Sequence, residues 1–389
     1  MPELRIDPLS GLRTIVASDR ANRPGGGFAV EPQPALDPET DPLVEGHEDR
    51  TPPEVWALRP DGGEPNGPGW RVRAVPNLYP ALAAAERTDN PASGGEADRA
   101  DEVVGHARPA TFVRAGHAPR GNPPTGPRRP DAVAEVTAAA ADPLARGRGE
   151  PELFASRPAD GAHEVIVNTP APARSLAELP HEQLETAMDA WRTRMRAHAG
   201  AAYMHVIVNE GHEAGASLPH SHAQLYALPF VPAAVARERE RFTAYAERAH
   251  GRNLLADLLQ AEVRRGERVF ALDREAVALS PFAARAPYQV QIVPRTARPS
   301  FEDDAPLGAR LLQEVLSRLA AVLGAVPPFN LWVRTAPRGA EWFCWRIDLL
   351  PRLTHLAGLE LGTGIHLNSI APERAAAALR DAEPVLPSR

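Results

Sequence analysis

The sequence predicts an α+β protein that consists of two similar halves. Each half contains strand-like apolar segments, then one long amphipathic helix, then a core strand along which polar residues alternate with apolar ones. In the first half the core strand covers Val206–Asn209, and in the second half the helix covers residues 307–323. Strands grouped around single long helices are typical of α+β folds. The apolar face predicted for the first helix consists of Leu184, Met188, Trp191 and Met195.

The composition excludes several classes of function. The 389 residues include 42 prolines and a single cysteine, Cys344, but no lysine, and the net charge is −7. Without lysine the chain cannot form a P-loop phosphate site, and with one cysteine it cannot form an internal disulfide or a thiolate-rich zinc site. The negative charge argues against general nucleic-acid binding, which needs a basic face. Any phosphate group must therefore be held by arginine, backbone amides or histidine.

We expect two domains, residues 1–228 and residues 229–389, with an insertion in the first. Residues 87–152 are mostly Ala, Arg, Asp, Gly and Pro with few large apolar side chains. Such a segment cannot offset its ordering entropy by burial, so we expect it to be disordered. The N-terminus lacks the basic and apolar segments of a signal peptide, and no stretch is long enough to cross a membrane. We therefore expect a cytoplasmic protein without a membrane partner.

The residues with the clearest chemical potential lie between Gly215 and Gln224, after a strand-like segment. His220 and His222 are two positions apart, so an extended backbone places both imidazoles on one side of the chain. Ser217 and Gln224 add hydrogen-bonding groups beside them. Two interpretations stay open from these residues. A neutral histidine can capture a phosphoryl group while neighbouring donors stabilise its negative charge, or the two histidines can belong to a metal site, which would need further ligands.

The same stretch resembles the active-site signature of the galactose-1-phosphate uridylyltransferase family, in the histidine-triad superfamily. That signature reads Gly-x-Ser-x-Pro-His-x-His-x-Gln, and residues 215–224 match every specified position. The final glutamine stands where histidine-triad hydrolases have a third histidine. The similarity extends over nearly the whole chain outside residues 87–152. The other similar segments are Ile15–Pro24, Val75–Leu82, His163–Val167, Pro281–Arg285 and Gly358–Gly364.

The resemblance implies two histidine-triad-like halves, each an antiparallel sheet with packed helices, in a homodimer. It implies that His222 attacks the α-phosphorus of a UDP-sugar, releases a sugar 1-phosphate and passes the uridylyl group to a second sugar 1-phosphate. Ser217 and Gln224 would bind the phosphoryl oxygens. Arg20 and Arg23 would reach the phosphate groups from the neighbouring subunit. The implied nucleotide-binding residues are Arg20, Arg23, Asn77, Asn209 and Gly215. The implied sugar-binding residues are Glu360 and His366.

The chain departs from the family at its metal positions. Family members often have cysteine zinc ligands where this sequence has Asp41 and Val44, and a histidine ligand near Pro172. Of the four zinc positions, only His220 is retained. The strand at a second metal position reads Phe343–Arg346 and carries no histidine. We therefore expect no bound zinc and no other metal cofactor.

The choice of substrate stays open. Thr354-His355 replaces a Lys-Phe pair of some members, and His366 replaces a glutamine, so the sugar need not be galactose. UDP-hexose and hexose 1-phosphate are the first hypothesis. The second is an adenylyl-transferring relative, either an ADP-sugar or a dinucleoside-polyphosphate phosphorylase. The third is a degenerate protein that binds nucleotides without catalysis, and the intact signature argues against it.

Overall fold

A computed structural model describes residues 1–18, 28–83, 158–304 and 306–384. The predicted insertion at residues 87–152, and Arg20 and Arg23, lie outside these ranges. The strands are Glu3–Ile6 (β1), Arg13–Val16 (β2), Trp56–Leu58 (β3), Val72–Pro76 (β4), Ala162–Val167 (β5), Tyr203–Glu210 (β6), His222–Leu228 (β7), Val269–Leu272 (β8), Ala276–Leu279 (β9), Val290–Pro294 (β10), Phe329–Arg334 (β11), Arg346–Pro351 (β12) and His366–Asn368 (β13). The helices are His181–Ala197 (α1), Ala233–Arg248 (α2), Leu254–Arg265 (α3), Ala309–Leu323 (α4), Gly358–Thr363 (α5) and Pro372–Asp381 (α6).

Ten of the strands form one antiparallel sheet with two equivalent halves. The strand order is β3-β4-β5-β7-β6-β11-β12-β10-β9-β8. Counted inward from either edge, the two halves follow the same sequence of strands, and each places its long helix between the third and the innermost strand. The halves meet where β6 pairs with β11, and Trp332 pairs with Ile207 there. A smaller sheet contains β1, β2 and β13, so the N-terminal strands lie against the C-terminal part of the chain.

Helices α1 and α4 cover one face of the large sheet and form the main core. Trp191 of α1 and Leu316 of α4 are fully buried, together with Val206 of β6 and Ile347 of β12. The residues predicted for the apolar face of the first helix all belong to this core. One charged residue on the covered face, Glu164, is paired with Arg194 of α1 through oxygen–nitrogen distances of 2.8 and 2.7 Å. The opposite face of the sheet therefore receives the alternate, mostly polar residues.

This second face is covered differently in the two halves. On the second half, Phe242 of α2 and Leu255 of α3 pack against Val277 and Val293. On the first half, a loop that contains Leu43 packs against the end of β5, next to Trp70 and Val167.

The α+β prediction is confirmed, while some details are wrong. Strands β1, β9 and β13 were not predicted from the sequence. The predicted domain boundary at residue 228 falls at the end of β7, and the division into two domains stays a prediction. No helix in the part of the chain that the structure describes is both long and apolar enough to cross a lipid bilayer.

Candidate active site

Strand β7 presents the signature residues on the second face of the sheet. Ala223 and Leu225 are buried in the main core, so His222, Gln224 and Tyr226 point to the other side. In the register of β5 and β7, Gln224 lies opposite Val165 and Tyr226 lies opposite His163.

His222 is held in one tautomer by the backbone. Its Nδ1 lies 2.7 Å from the carbonyl oxygen of His220, which can only accept a hydrogen bond, so Nδ1 carries the proton. Burial lowers the pKa of His222, with a smaller opposing effect from this hydrogen bond. The ring is therefore neutral at neutral pH, and the lone pair that a nucleophile needs is on Nε2.

Gln224 is oriented by two donors. Its Oε1 lies 3.0 Å from Nε2 of His163 and 3.0 Å from the hydroxyl of Tyr226. His163 must donate from Nε2, because its Nδ1 accepts a hydrogen bond from the backbone N–H of Ala81 at 3.1 Å. The rings of His163 and Tyr226 are stacked, with centroids 4.1 Å apart. Because Oε1 is occupied, Gln224 presents its amide N–H groups to a ligand.

The two predicted nucleotide-binding asparagines lie on either side of this group. Asn77 Nδ2 is 3.1 Å from Nε2 of His163, and Asn77 Oδ1 accepts from the backbone N–H of Tyr79. Asn209 of β6 accepts a hydrogen bond of 2.8 Å from Asn330 of β11, at the seam between the halves. The structure thus places Asn77 beside His163, without a hydrogen bond between Nδ2 and Nε2, because both atoms carry protons in this tautomer. It places Asn209 beside the loop that leads to β7.

The loop before β7 begins with a short 3-10 turn and a left-handed glycine. Gly215 has a φ of 83°, a conformation that favours glycine. Ser217 follows on an exposed part of the loop. Both positions agree with a loop whose backbone closes around an anion, and their predicted roles remain predictions.

The predicted sugar-binding residues lie in the C-terminal part of the chain. Glu360 caps α5 by accepting a hydrogen bond of 3.1 Å from the backbone N–H of Ala357. His366 is in β13, where it pairs with Thr14, and burial lowers its pKa. None of these contacts brings the two residues to His222, so their role remains a prediction, as does that of Arg20 and Arg23.

A buried carboxyl group supports the signature loop from the core side. Glu210 Oε1 accepts hydrogen bonds from the backbone N–H of Leu176 at 2.8 Å and from the hydroxyl of Ser221 at 3.2 Å. Burial raises the pKa of Glu210 to about 8. Ser221 also receives a hydrogen bond of 3.2 Å from the side chain of Asn168. The residue between the two histidines is therefore anchored on both sides.

Comparisons with known proteins show what the chain is similar to. The N-terminal domain of galactose-1-phosphate uridyl transferase matches residues 132–232. An ADP-glucose phosphorylase from Arabidopsis thaliana is 26% identical over 396 residues, which cover 98% of this chain and 93% of that protein. A galactose-1-phosphate uridylyltransferase from Thermotoga maritima is 28% identical over 247 residues, covering 59% of this chain and 77% of that protein. Over nearly its whole length, the chain is similar to proteins of the galactose-1-phosphate uridylyltransferase family.

Solved structures of the family have the same fold. The crystal structure of an ADP-glucose phosphorylase from Arabidopsis thaliana with bound ADP-glucose matches with a TM-score of 0.69 and 24% identity, covering 98% of this chain and 99% of that chain. A uridylyltransferase structure matches with a TM-score of 0.62 and 23% identity, covering 98% of this chain and 97% of that one. The homologues are nucleotidyltransferases.

The residues at the family's zinc position do not suit a zinc ion. His220 has Nδ1 2.6 Å from Oδ2 of Asp41 and Nε2 2.9 Å from the carbonyl oxygen of Thr169, so both ring nitrogens already have partners in the protein. Zinc needs a bare ring nitrogen and normally four ligands, whereas Val44 and Pro172 offer no side-chain donor. Within the described ranges, no group of three or more His, Cys, Asp or Glu side chains could hold a metal ion.

Sequence reasoning did not single out His163, Tyr226 or Glu210 as site residues. The alternation along β5 and β7 could have placed His163 and Tyr226 on polar faces of their strands. Their contact with Gln224 depends on the register between the strands, which a single sequence does not show. Glu210 lies on the apolar face of β6, and a lone carboxylate in a hydrophobic run is the only local signal of its burial.

Proposed function

We propose that the protein is a nucleotidyltransferase that forms a covalent nucleotidyl intermediate on Nε2 of His222. The observation that supports this most is the fixed, neutral tautomer of His222, on the same face of β7 as Gln224, whose amide oxygen is engaged by two protein donors and whose N–H groups are left to donate. The donor substrate is a nucleoside diphosphate hexose, and the first product is a hexose 1-phosphate.

The reaction has two balanced steps. In the first, Nε2 of His222 bonds to the α-phosphorus, and the bond from that phosphorus to the oxygen of the hexose 1-phosphate breaks. The leaving group departs with the electron pair of this bond. In the second step, an oxygen of the acceptor bonds to the same phosphorus, and the phosphorus–nitrogen bond breaks to restore neutral His222. The acceptor is a second hexose 1-phosphate or inorganic phosphate.

The neighbouring groups stabilise the charges that these steps create. Positive charge develops on the imidazole as Nε2 is substituted, and the hydrogen bond from Nδ1 to the His220 carbonyl strengthens as it does. The amide of Gln224 and the hydroxyl of Ser217 donate to the phosphoryl oxygens. Asn77, Asn209 and the backbone at Gly215 line the nucleotide.

A second copy of the chain completes the site in this proposal. Arg20 and Arg23 reach the phosphates from the partner in a homodimer, and Glu360 and His366 contact the hexose hydroxyls. Arginine suits this role because its fork of donors matches phosphate oxygens.

The base of the nucleotide is the open part of the proposal. The resemblance of the signature makes a UDP-hexose the first hypothesis for the substrate. The relative that is an ADP-glucose phosphorylase is similar over 98% of this chain, whereas the Thermotoga maritima uridylyltransferase is similar over 59%. A uridylyltransferase from Neurospora crassa is also similar over 97%. Relatives of both names are thus similar over nearly the whole chain, and we propose an ADP-hexose as the first substrate to test and a UDP-hexose as the second.

Intact mass spectrometry tests the proposal directly. The protein is mixed with ADP-glucose, UDP-glucose or GDP-glucose without acceptor, and an adenylyl, uridylyl or guanylyl adduct is sought. We expect one adduct, which disappears on addition of inorganic phosphate or hexose 1-phosphate. His222→Ala abolishes it, and His212→Ala, a substitution of an exposed histidine in the preceding loop, retains it. Tight nucleotide binding without any adduct would instead indicate a degenerate binding protein.

A further inference from the structure

The pair of Asp41 and His220 occupies the place at which the family resemblance puts zinc. Both side chains are almost fully excluded from solvent, at 2% and 0% exposure, and Oδ2 of Asp41 is 2.6 Å from Nδ1 of His220. We propose that this pair is a metal-independent ion pair that positions the nucleophile His222, so that the site works without a metal ion.

The charge state of the pair follows from its hydrogen bonds. The carbonyl oxygen of Thr169, 2.9 Å from Nε2 of His220, can only accept, so Nε2 carries a proton. Burial works against ionisation of Asp41, but hydrogen bonds from His220 and from the backbone N–H of Leu43 hold the pKa of Asp41 below its ordinary value. An ionised carboxylate must receive a proton from Nδ1 as well. His220 is therefore a cation, which supplies positive charge where the family has zinc.

The anchored side chain of His220 and the peptide group that follows it together place the His220 carbonyl. The loop from His220 to His222 is also held at Ser221, whose backbone N–H donates to the carbonyl of Ala173 at 2.7 Å. The backbone N–H of Asn168 donates to the carbonyl of Ser221 at 3.2 Å. The His220 carbonyl, in the same peptide group as the Ser221 N–H, accepts a hydrogen bond of 2.7 Å from His222 Nδ1. Asp41 thus acts on His222 through one residue and is a positioning residue.

The loop that carries Asp41 is itself well anchored. The backbone carbonyl of Asp41 is 2.7 Å from Nδ1 of His47, and its carboxylate accepts from the backbone N–H of Leu43 at 3.0 Å. Leu43 packs in turn on Trp70 and Val167 of the sheet. The pair of Asp41 and His220 joins this loop to the signature directly.

Two measurements on the unmodified protein test the proposal without any nucleotide. The first is metal analysis of protein expressed with added zinc, before and after dialysis against EDTA. We expect far less than one zinc per chain and no change in melting temperature after EDTA. The second is NMR of protein with histidine labelled at both ring nitrogens, in which one histidine shows protons on both nitrogens. One zinc retained per chain, or a His220 with a single ring proton, would overturn the proposal.

Variants test the positioning role. Asp41→Ala removes the ion pair, and because a small displacement of a reacting group costs about 100-fold in rate, we expect adduct formation to slow by about that factor. Asp41→Asn keeps the shape and an acceptor, and we expect a smaller loss, with the labelled spectrum of His222 shifted from the Nδ1–H tautomer toward a mixture. Asp37→Asn, a change of an exposed acid in the same segment, should match the wild type in both readouts.

Only the measurement of adduct formation rests on the proposed function. The metal analysis and the NMR spectra test the ion pair independently of it. An unchanged His222 spectrum in a folded Asp41→Asn protein overturns the positioning role. If Asp41→Ala does not fold, the rate of adduct formation and the His222 spectrum of the Asp41→Asn variant test the positioning role. Absence of an adduct in the wild type would refute the transferase proposal, while the metal and NMR results would still support or overturn the ion pair.

Discussion

The two halves of the large sheet carry different side chains at equivalent strand positions. In the first half, Gln224 of β7 lies between Val165 of β5 and Ile207 of β6. In the second half, Asp348 of β12 holds the equivalent position, between Gln291 of β10 and Trp332 of β11. Around Gln224 the groups are neutral, whereas around Asp348 they are charged.

The charged groups of the second half form ion pairs with one another. Arg346 lies 3.1 Å from Glu238 of α2 and 3.0 Å from Asp348, and Arg334 lies 3.5 Å from Glu238. Burial opposes ionisation of Arg346, but the charges of Asp348 and Glu238 raise its pKa above the ordinary value. Gln291 donates to the other oxygen of Asp348 at 2.8 Å. Helix α2 covers the group and leaves a cavity of about 90 Å³.

The comparison shows how a reactive site differs from a structural cluster when both are built on the same arrangement of strands. His222 and Gln224 are held by hydrogen bonds on one side and have a lone pair or donors left on the other. Arg346 forms ion pairs with Asp348 and with Glu238. We therefore expect substitutions in the first half to change the reaction, and substitutions in the second half to change stability.

The largest effect is expected for His222→Ala. Because the nucleophile is removed, turnover of the nucleotide sugar should be lost completely, while the free energy of unfolding should stay close to that of the wild type. Steady-state assays and urea unfolding measure the two quantities. Residual turnover near the wild-type rate would mean that another group carries the intermediate.

Arg346→Met should have the opposite pattern. It leaves Asp348 buried without its cation and Glu238 with Arg334 alone, which lowers the free energy of unfolding by about 3–5 kcal/mol. The kcat/KM per folded molecule should stay within about threefold of the wild type, because Arg346 does not contact the first half. Urea unfolding and initial rates at low temperature check this. A large loss of kcat in fully folded protein would contradict the proposed separation of the halves.

His163→Phe should reduce the reaction without removing it. The phenyl ring keeps the stack on Tyr226 but cannot donate to Oε1 of Gln224. Only the Tyr226 hydroxyl then holds the amide, which can turn its oxygen toward the phosphate more readily. We expect adduct formation to slow by about ten- to a hundredfold. Tyr226→Phe, which removes the second donor, should cost less. Equal rates for His163→Phe and the wild type would show that Gln224 needs no orientation.

Glu210→Gln should alter the dependence of stability on pH. The folded-state pKa of Glu210 is raised to about 8 from an ordinary value of 4.5, so the folded protein holds a proton that the unfolded chain releases. This contribution to stability is complete below pH 4.5 and is lost as pH rises to about 8, at up to about 1.4 kcal/mol per pH unit. Glutamine keeps an acceptor for Leu176 and Ser221 without the titration. Urea unfolding between pH 5 and 9 should show a flatter profile for the variant, and parallel profiles would contradict the assignment.

Local patterns in the sequence predicted the parts of the fold that depend on local chemistry. The spacing of Leu184, Met188, Trp191 and Met195 predicted the buried face of α1, and every one of these residues is in the main core. Strand β9 was missed because its four residues, Ala276–Leu279, are buried on both faces and show no alternation. Strands β1 and β13 are short, and their pairing with β2 joins residues far apart in the chain.

The sequence by itself determined the α+β class, the signature around His222 and the loss of most zinc ligands, since each of these depends on residue types at short spacing. The tertiary structure decided which groups meet. The pairs of Asp41 with His220 and of His163 with Gln224 join residues 179 and 61 positions apart, and Glu238 meets Arg346 across 108. Such contacts follow from strand register and loop packing, and these are set by the whole core at once.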